Sequence, residues 1–165
     1  MYRIIATDLD ETMLNDDHEV STKDIETINK LADMGVKFVL ATGRGYNSTF
    51  ELQKRIGLFG RKNEYVISFN GGIVTDNYNN EAIYRRGMSF DQASALFAEG
   101  LRRGLCTHVY TEDKVYIVNY YDEEKQRVSD YYFNEYENPE VTNKNTVKDL
   151  SFVKPALEFH GACAG

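Results

Sequence analysis

Short apolar runs alternate with amphipathic stretches through the first half of the chain. Arg3 to Thr7 (RIIAT) is apolar and ends at Asp8. Such a run reads as a buried parallel strand rather than a half-exposed one. Residues 11–20 are mainly polar. Ser21 then stands three residues before Asp24, a capping box with Asp in the usual place of Glu, which predicts a helix start. Ile25, Ile28, Leu31 and Ala32 fall on one face of that helix, and Gly35 suits the position just past its end. Val36 to Ala41 (VKFVLA) predicts a second strand, ending at Thr42-Gly43-Arg44. A helix is expected from about Ser48 to Ile56. Tyr65 to Phe69 (YVISF) predicts a third strand, ending at Asn70-Gly71-Gly72. Strand, helix, strand, helix, strand with short connections implies right-handed crossovers and a parallel sheet covered by helices on its faces. Ile73 to Thr75 and Ala82 to Tyr84 flank an Asn-rich turn and predict a hairpin.

The pattern changes near residue 85. Ser89 and Gln92 form a second capping box, opening a helix that turns Ala93, Leu96, Phe97 and Leu101 inward. Thr107 to Thr111 and Val115 to Val118 flank Glu112-Asp113-Lys114, an antiparallel hairpin signal. Residues 122–136 mix acidic, basic and aromatic groups and predict an exposed helix, stopped by Asn138-Pro139. The expected organisation is therefore a Rossmann-like α/β unit over 1–84 and an α+β module over 85–165. Residues 161–165 (GACAG) have no periodicity and read as a frayed end.

Composition adds exclusions. With 42% hydrophobic and 27% charged residues, the 165-residue chain is ordinary for a globular protein. A net charge of −7 argues against a nucleic-acid partner, which needs clustered Lys and Arg. No stretch approaches the ~20 apolar residues of a membrane span. Met1-Tyr2-Arg3 runs straight into a strand, so no signal peptide is expected, and the cytoplasm is the default location. Cys106 and Cys163 read as free thiols, and His18, His108 and His160 share no ligand spacing.

Chemistry concentrates at the strand ends. In an open parallel sheet, ligands sit beyond the carboxyl ends of the strands. Asp8-Leu9-Asp10 lies at such an end. Asp8, ionised, could ligate a hard cation such as Mg²⁺ and attack phosphorus, while Asp10 could move protons to and from oxygen. A solvated turn or a helix cap explains this tripeptide better when it is taken alone. Thr42-Gly43-Arg44 at the neighbouring strand end changes the balance, because a hydroxyl and a Gly amide there could both donate to a phosphate oxygen.

These segments carry a resemblance. DLDETML resembles the first motif, D-x-D-x-T-[LV], of the haloacid dehalogenase superfamily, and VLATGR its second. ISFNGG is similar to the strand and loop of the Cof-type branch, whose members carry a large α/β cap of the C2 type after the third strand. The match covers residues 1–84 well and 85–160 only in outline. It implies an incomplete core followed by a partial cap, and a Mg²⁺-dependent phosphatase of small phosphorylated metabolites acting through an aspartyl phosphate. Asp8 would be the nucleophile and Asp10 the acid/base, with the Asp8 carboxylate and the Asp10 carbonyl on the metal. Thr42 and Gly43 would hold the phosphate, and Arg44 and Asn70 would lie near the substrate. Glu11 stands where the family most often has Gly; the loop should tolerate it provided that it does not turn at positive φ. The family's third motif (a Lys) and fourth (an acidic pair) lie beyond the cap, and nothing after residue 85 matches either. Lys148 and Lys154 read as surface residues. The alternative is thus a truncated, catalytically incomplete fragment. The family's first strand is central, so the edge of residues 3–7 would be left uncovered, an invitation to self-association. A receiver domain, which also forms an aspartyl phosphate, needs an Asp on the third strand, where this chain has Phe69-Asn70.

Overall fold

In the computed structural model, which describes residues 2–112, 115–119, 140–141 and 149–150, β1 (Ile4–Asp8) pairs in parallel with β2 (Lys37–Ala41), and β2 with β3 (Tyr65–Ser68). Helices α1 (Thr22–Asp33) and α2 (Phe50–Ile56) form the two crossovers. Ser21 caps α1 as its spacing predicts, its hydroxyl accepting the Asp24 amide at 3.1 Å. Gly35 follows at φ 77°, which ends the helix in the left-handed region without a Cβ penalty. The hairpin of β4 (Ile73–Asp76) and β5 (Ala82–Arg85) extends the same sheet antiparallel to β3, so the strand order is β1-β2-β3-β4-β5.

Both helices lie on one face. Ile28 of α1 and Ile56 of α2 share a single core with Phe38, Leu40 and Val66 from the sheet and with Leu9, Leu14, Val20 and Leu58 from the connections. Two right-handed crossovers taken in the same direction across a sheet put their helices on the same side. The expectation of helices on both faces therefore does not hold for the helices of this unit.

The burial expected of RIIAT is corrected too. Ile4, Ala6 and Asp8 are exposed, with Ile4 at 58%, and Ile5 and Thr7 are half-buried. Among the described residues β1 is the terminal strand and pairs with β2 alone. Its inward side chain Ile5 packs on the core, while the other face of the strand meets solvent. An apolar run signals burial of every side chain only where both faces of the strand are covered. Between β2 and β3, buried Glu64 accepts the Phe38 amide at 2.9 Å. Desolvation raises its pKa, against the lowering effect of that hydrogen bond and of the Arg61 and Lys37 charges.

The chain divides after Arg85, giving compact units Met1–Arg85 and Arg86–Gly165. In the second, α3 (Phe90–Arg102) begins with the predicted capping box: Ser89 Oγ accepts the Gln92 amide, and Gln92 Oε1 accepts the Ser89 amide. Strands β6 (Thr107–Tyr110) and β7 (Val115–Val118) form the expected antiparallel pair, and β8 (Glu140–Val141) joins β7 in parallel. Ala93 and Phe97 of α3 pack on Val109, Tyr116, Val118 and Leu150. The helix expected over 122–136, its Asn138-Pro139 stop and the segment 161–165 lie outside the described residues. No helix among the described residues is long and apolar enough to cross a membrane.

Candidate active site

The three parallel strands end level with one another, because Asp8 lies opposite Ala41 and Ala41 opposite Ile67. The loops that follow meet at this common edge. Beyond β1, Leu9 is fully buried in the core and Leu14 nearly so, and the Leu14 amide bonds back to the Leu9 carbonyl at 2.9 Å. These two anchors close a tight loop that leaves Asp8 exposed and Asp10 half-buried on the solvent side. Asp10 stays extended (φ −73°, ψ 133°), and Glu11 makes the reversal at φ 55°, ψ 12°. The expectation that Glu11 would avoid positive φ is thus corrected. The buried leucines on either side dictate the turn, at a cost of about 1–2 kcal/mol for a residue with a Cβ.

Among the described residues the Asp8 carboxylate has one hydrogen-bond donor at the limit of contact, Thr12 Oγ1 at 3.5 Å. Thr12 is not among the site residues expected from the sequence, although it is the Thr of the D-x-D-x-T motif that DLDETML resembles, and that is the signal that could have found it.

From β2, Thr42 is buried and its amide donates to the Ile67 carbonyl at 2.9 Å. Its Oγ1 accepts the Arg44 amide at 3.1 Å, which leaves the hydroxyl proton available to a ligand. Gly43 is exposed, and a Cβ there would lie 3.1 Å from Asn70 Oδ1, so the position suits a residue without a side chain. Beyond β3, Phe69 and Asn70 both take positive φ (49° and 53°). That turn aims the Phe69 amide at the Arg44 carbonyl (2.9 Å) and the Asn70 amide at the Thr42 carbonyl (3.2 Å).

Arg44 closes the constellation. Its Nε donates to Asp10 Oδ2 at 3.0 Å and a terminal nitrogen donates to Asp10 Oδ1, a two-pronged ion pair. A cleft of about 570 Å³ opens beside it, lined by Leu14, His18, Arg44, Leu52, Lys54 and Arg55 among others. The structure therefore brings Asp10, Thr42, Gly43, Arg44 and Asn70 together, with Asp8 one strand over and level with the residue before Thr42.

Asp8 and the Asp10 carbonyl present oxygen ligands, a donor set that fits Mg²⁺, which takes one or two carboxylates and keeps several waters. Among the described residues, this site included, no group of three or more His, Cys, Asp or Glu side chains gathers that could hold a metal ion.

A family model of haloacid dehalogenase-like hydrolases matches residues 5–160. The protein named "Putative phosphatase YxeH" of Bacillus subtilis (strain 168) is 30% identical over 119 residues, covering 72% of this chain and 44% of its own length. The HMP-PP phosphatase of Yersinia pestis (strain Pestoides F) is 38% identical over 80 residues, 48% of this chain and 28% of its own. A solved haloacid dehalogenase-like hydrolase from B. subtilis superposes with a TM-score of 0.72 at 19% identity, over 95% of this chain and 58% of that one, a likeness of fold. The chain spans about half the length of the curated relatives it matches.

Proposed function

The chain belongs to the haloacid dehalogenase-like hydrolase family, and from that premise we propose that it carries the nucleophile, acid/base and phosphate-holding residues of a Mg²⁺-dependent phosphatase of small, cytoplasmic phosphorylated metabolites. The observation that supports this most is the placement of an exposed carboxylate, Asp8, at the tip of β1, level with the laced loop of Thr42, Gly43 and Arg44. Residues 1–84 would be the first part of the catalytic core. Residues 85–165 would belong to the cap that selects the substrate.

In this reading the Thr42 hydroxyl and Gly43 amide hold the phosphate oxygens, and an Asp8 oxygen attacks phosphorus. The bond to the leaving oxygen breaks as Asp10 gives that oxygen a proton. Water then attacks the aspartyl phosphate, Asp10 takes the water proton, and Asp8 returns as a carboxylate. Mg²⁺, when bound through Asp8 and the Asp10 carbonyl, spreads the charge of the transferring group. Phosphate release from p-nitrophenyl phosphate should therefore require added MgCl₂ and stop with excess EDTA. Release that persists in EDTA would reject the metal-dependent scheme.

The edge of β1 favours a second reading for the 165-residue chain, that it holds part of a site and associates with itself. Ile4 is 58% and Tyr2 86% exposed beside a strand edge that pairs with no other strand among the described residues. Such an edge is a template for another strand. Light scattering should show a mass that rises with concentration. A monodisperse monomer, with slow amide exchange along residues 3–7, would contradict this.

A further inference from the structure

The cleft beside Arg44 is basic against the trend of the chain. Three permanent cations, Arg44, Lys54 and Arg55, line its 570 Å³ together with one carboxylate, Glu51. The sequence as a whole has 26 acidic and 19 basic residues. Cations gathered in a concave wall focus a positive potential on whatever enters. The volume suits a small metabolite.

Helical spacing brings two of these cations in. Residues 51, 52, 54 and 55 share one face of α2, since side chains three and four positions apart are neighbours, and all four line the cleft. Lys54 and Arg55 stand in the last turn, where they also complement the helix dipole, a role that requires no ligand. The dipole does not account for Arg44, which lines the same walls from the loop after β2.

The partners of the three cations differ in firmness. Asp10 holds Arg44 in a two-pronged pair whose side chains are 16% and 27% exposed, so Arg44 stays in place as a wall shared with the site. Lys54 meets Glu51 at 2.5 Å and Arg55 meets Glu19 at 2.8 Å, but those two carboxylates are 85% and 59% exposed. Ion pairs so open to water contribute little, and a more highly charged anion can replace them. Leu14 and Leu52 add apolar wall that suits a carbon skeleton.

We propose that this cleft is a second anion subsite. The substrate is a phosphate monoester that carries a further anionic group, carboxylate or phosphate, and Lys54 and Arg55 bind that group while the Thr42 loop holds the phosphate to be cleaved. The role of the Thr42 loop, and the word substrate, rest on the phosphatase reading above.

Binding alone tests the subsite. Three ligands are titrated calorimetrically into the 165-residue chain at a fixed excess of MgCl₂. Glycerol 3-phosphate has one anionic group, 3-phosphoglycerate adds a carboxylate, and 2,3-bisphosphoglycerate adds a second phosphate as well. At least one of the last two should bind about tenfold or more tightly than glycerol 3-phosphate, the scale of one or two charge-assisted contacts. Which of them gains identifies the group that is read. Lys54→Gln combined with Arg55→Gln should bring the three affinities within about twofold, with glycerol 3-phosphate itself little changed. Both side chains are about half exposed, so the fold should hold. Lys54→Arg, which keeps the charge, should keep the preference. So should Lys23→Gln combined with Lys30→Gln, which removes two exposed cations from α1 outside the cleft.

Equal affinities in the wild type would overturn the subsite, as would a preference that survives the loss of Lys54 and Arg55. Equal loss in the Lys23 and Lys30 variant would show a general field rather than a site, and no binding of any ligand would also reject it. Absence of Asp8-dependent turnover would reject the phosphatase reading, whereas the subsite stands or falls on the binding constants.

Discussion

Asp8→Asn is expected to reduce Mg²⁺-dependent phosphate release by about a thousandfold or more, to the rate of the buffer. An amide cannot displace the leaving oxygen, and loss of a nucleophile removes the covalent route as a whole rather than a share of it. The fold should not change. Asp8 is exposed and its carboxylate holds one long contact among the described residues, from Thr12 at 3.5 Å, so its replacement should alter stability by no more than about 0.5 kcal/mol. The pair of measurements matters: a dead variant with an unchanged melting curve locates the loss in chemistry. Equal rates for wild type and Asp8→Asn would mean that the chain turns nothing over, which is the outcome expected of an incomplete fragment.

Leu9→Ala should cost about 2–5 kcal/mol of stability, read from the urea midpoint. Leu9 is fully buried between the two carboxylates, and its side chain plugs the loop into the core formed with Leu14, Val20 and Ile28. A domain of this size is stable by only about 5–15 kcal/mol, so the loss is a large share. Activity per folded molecule should fall as well, because the cavity loosens the segment that aims Asp8 and Asp10. Ile28→Ala empties the same core from α1 rather than from the loop itself. It should cost comparable stability while leaving turnover per folded molecule close to wild type. Equal loss of turnover in both variants would mean that the site senses global stability rather than the Leu9 anchor.

Local signals in the sequence are sound where a single segment decides the outcome. Ser21 and Ser89 cap their helices through the residues three places on, and Gly35 ends α1 at positive φ. The strand-end motifs fall at one edge because the β-α-β-α-β order leaves little choice of topology. What escapes the sequence depends on partners far along the chain. The partial exposure of β1 follows from its uncovered face and its place at the end of the described sheet, which a short apolar run cannot convey. Glu11 takes positive φ because Leu9 and Leu14 must both reach the core, a demand that overrides the residue's own preference. The pair of Arg44 with Asp10 joins two loops 34 residues apart. Each residue is legible as a candidate, but their mutual engagement is not, since spacing records nothing about side chains from separate strands. Thr12 belongs to the first motif, but its contact with Asp8 depends on the tightness of the 9–13 loop.

If Asp8 itself accepts the phosphoryl group, it can be caught carrying it. The chain is mixed with a small phosphate ester and MgCl₂, quenched rapidly in acid, and its peptides are sequenced by mass spectrometry. The expected spectrum shows a phosphoryl group on Asp8 that is absent from Asp8→Asn and from samples to which EDTA was added before the ester. Metal-dependent hydrolysis with Asp8 unmodified at every quench time, or with the phosphoryl group on another side chain, would rule out Asp8 as the nucleophile.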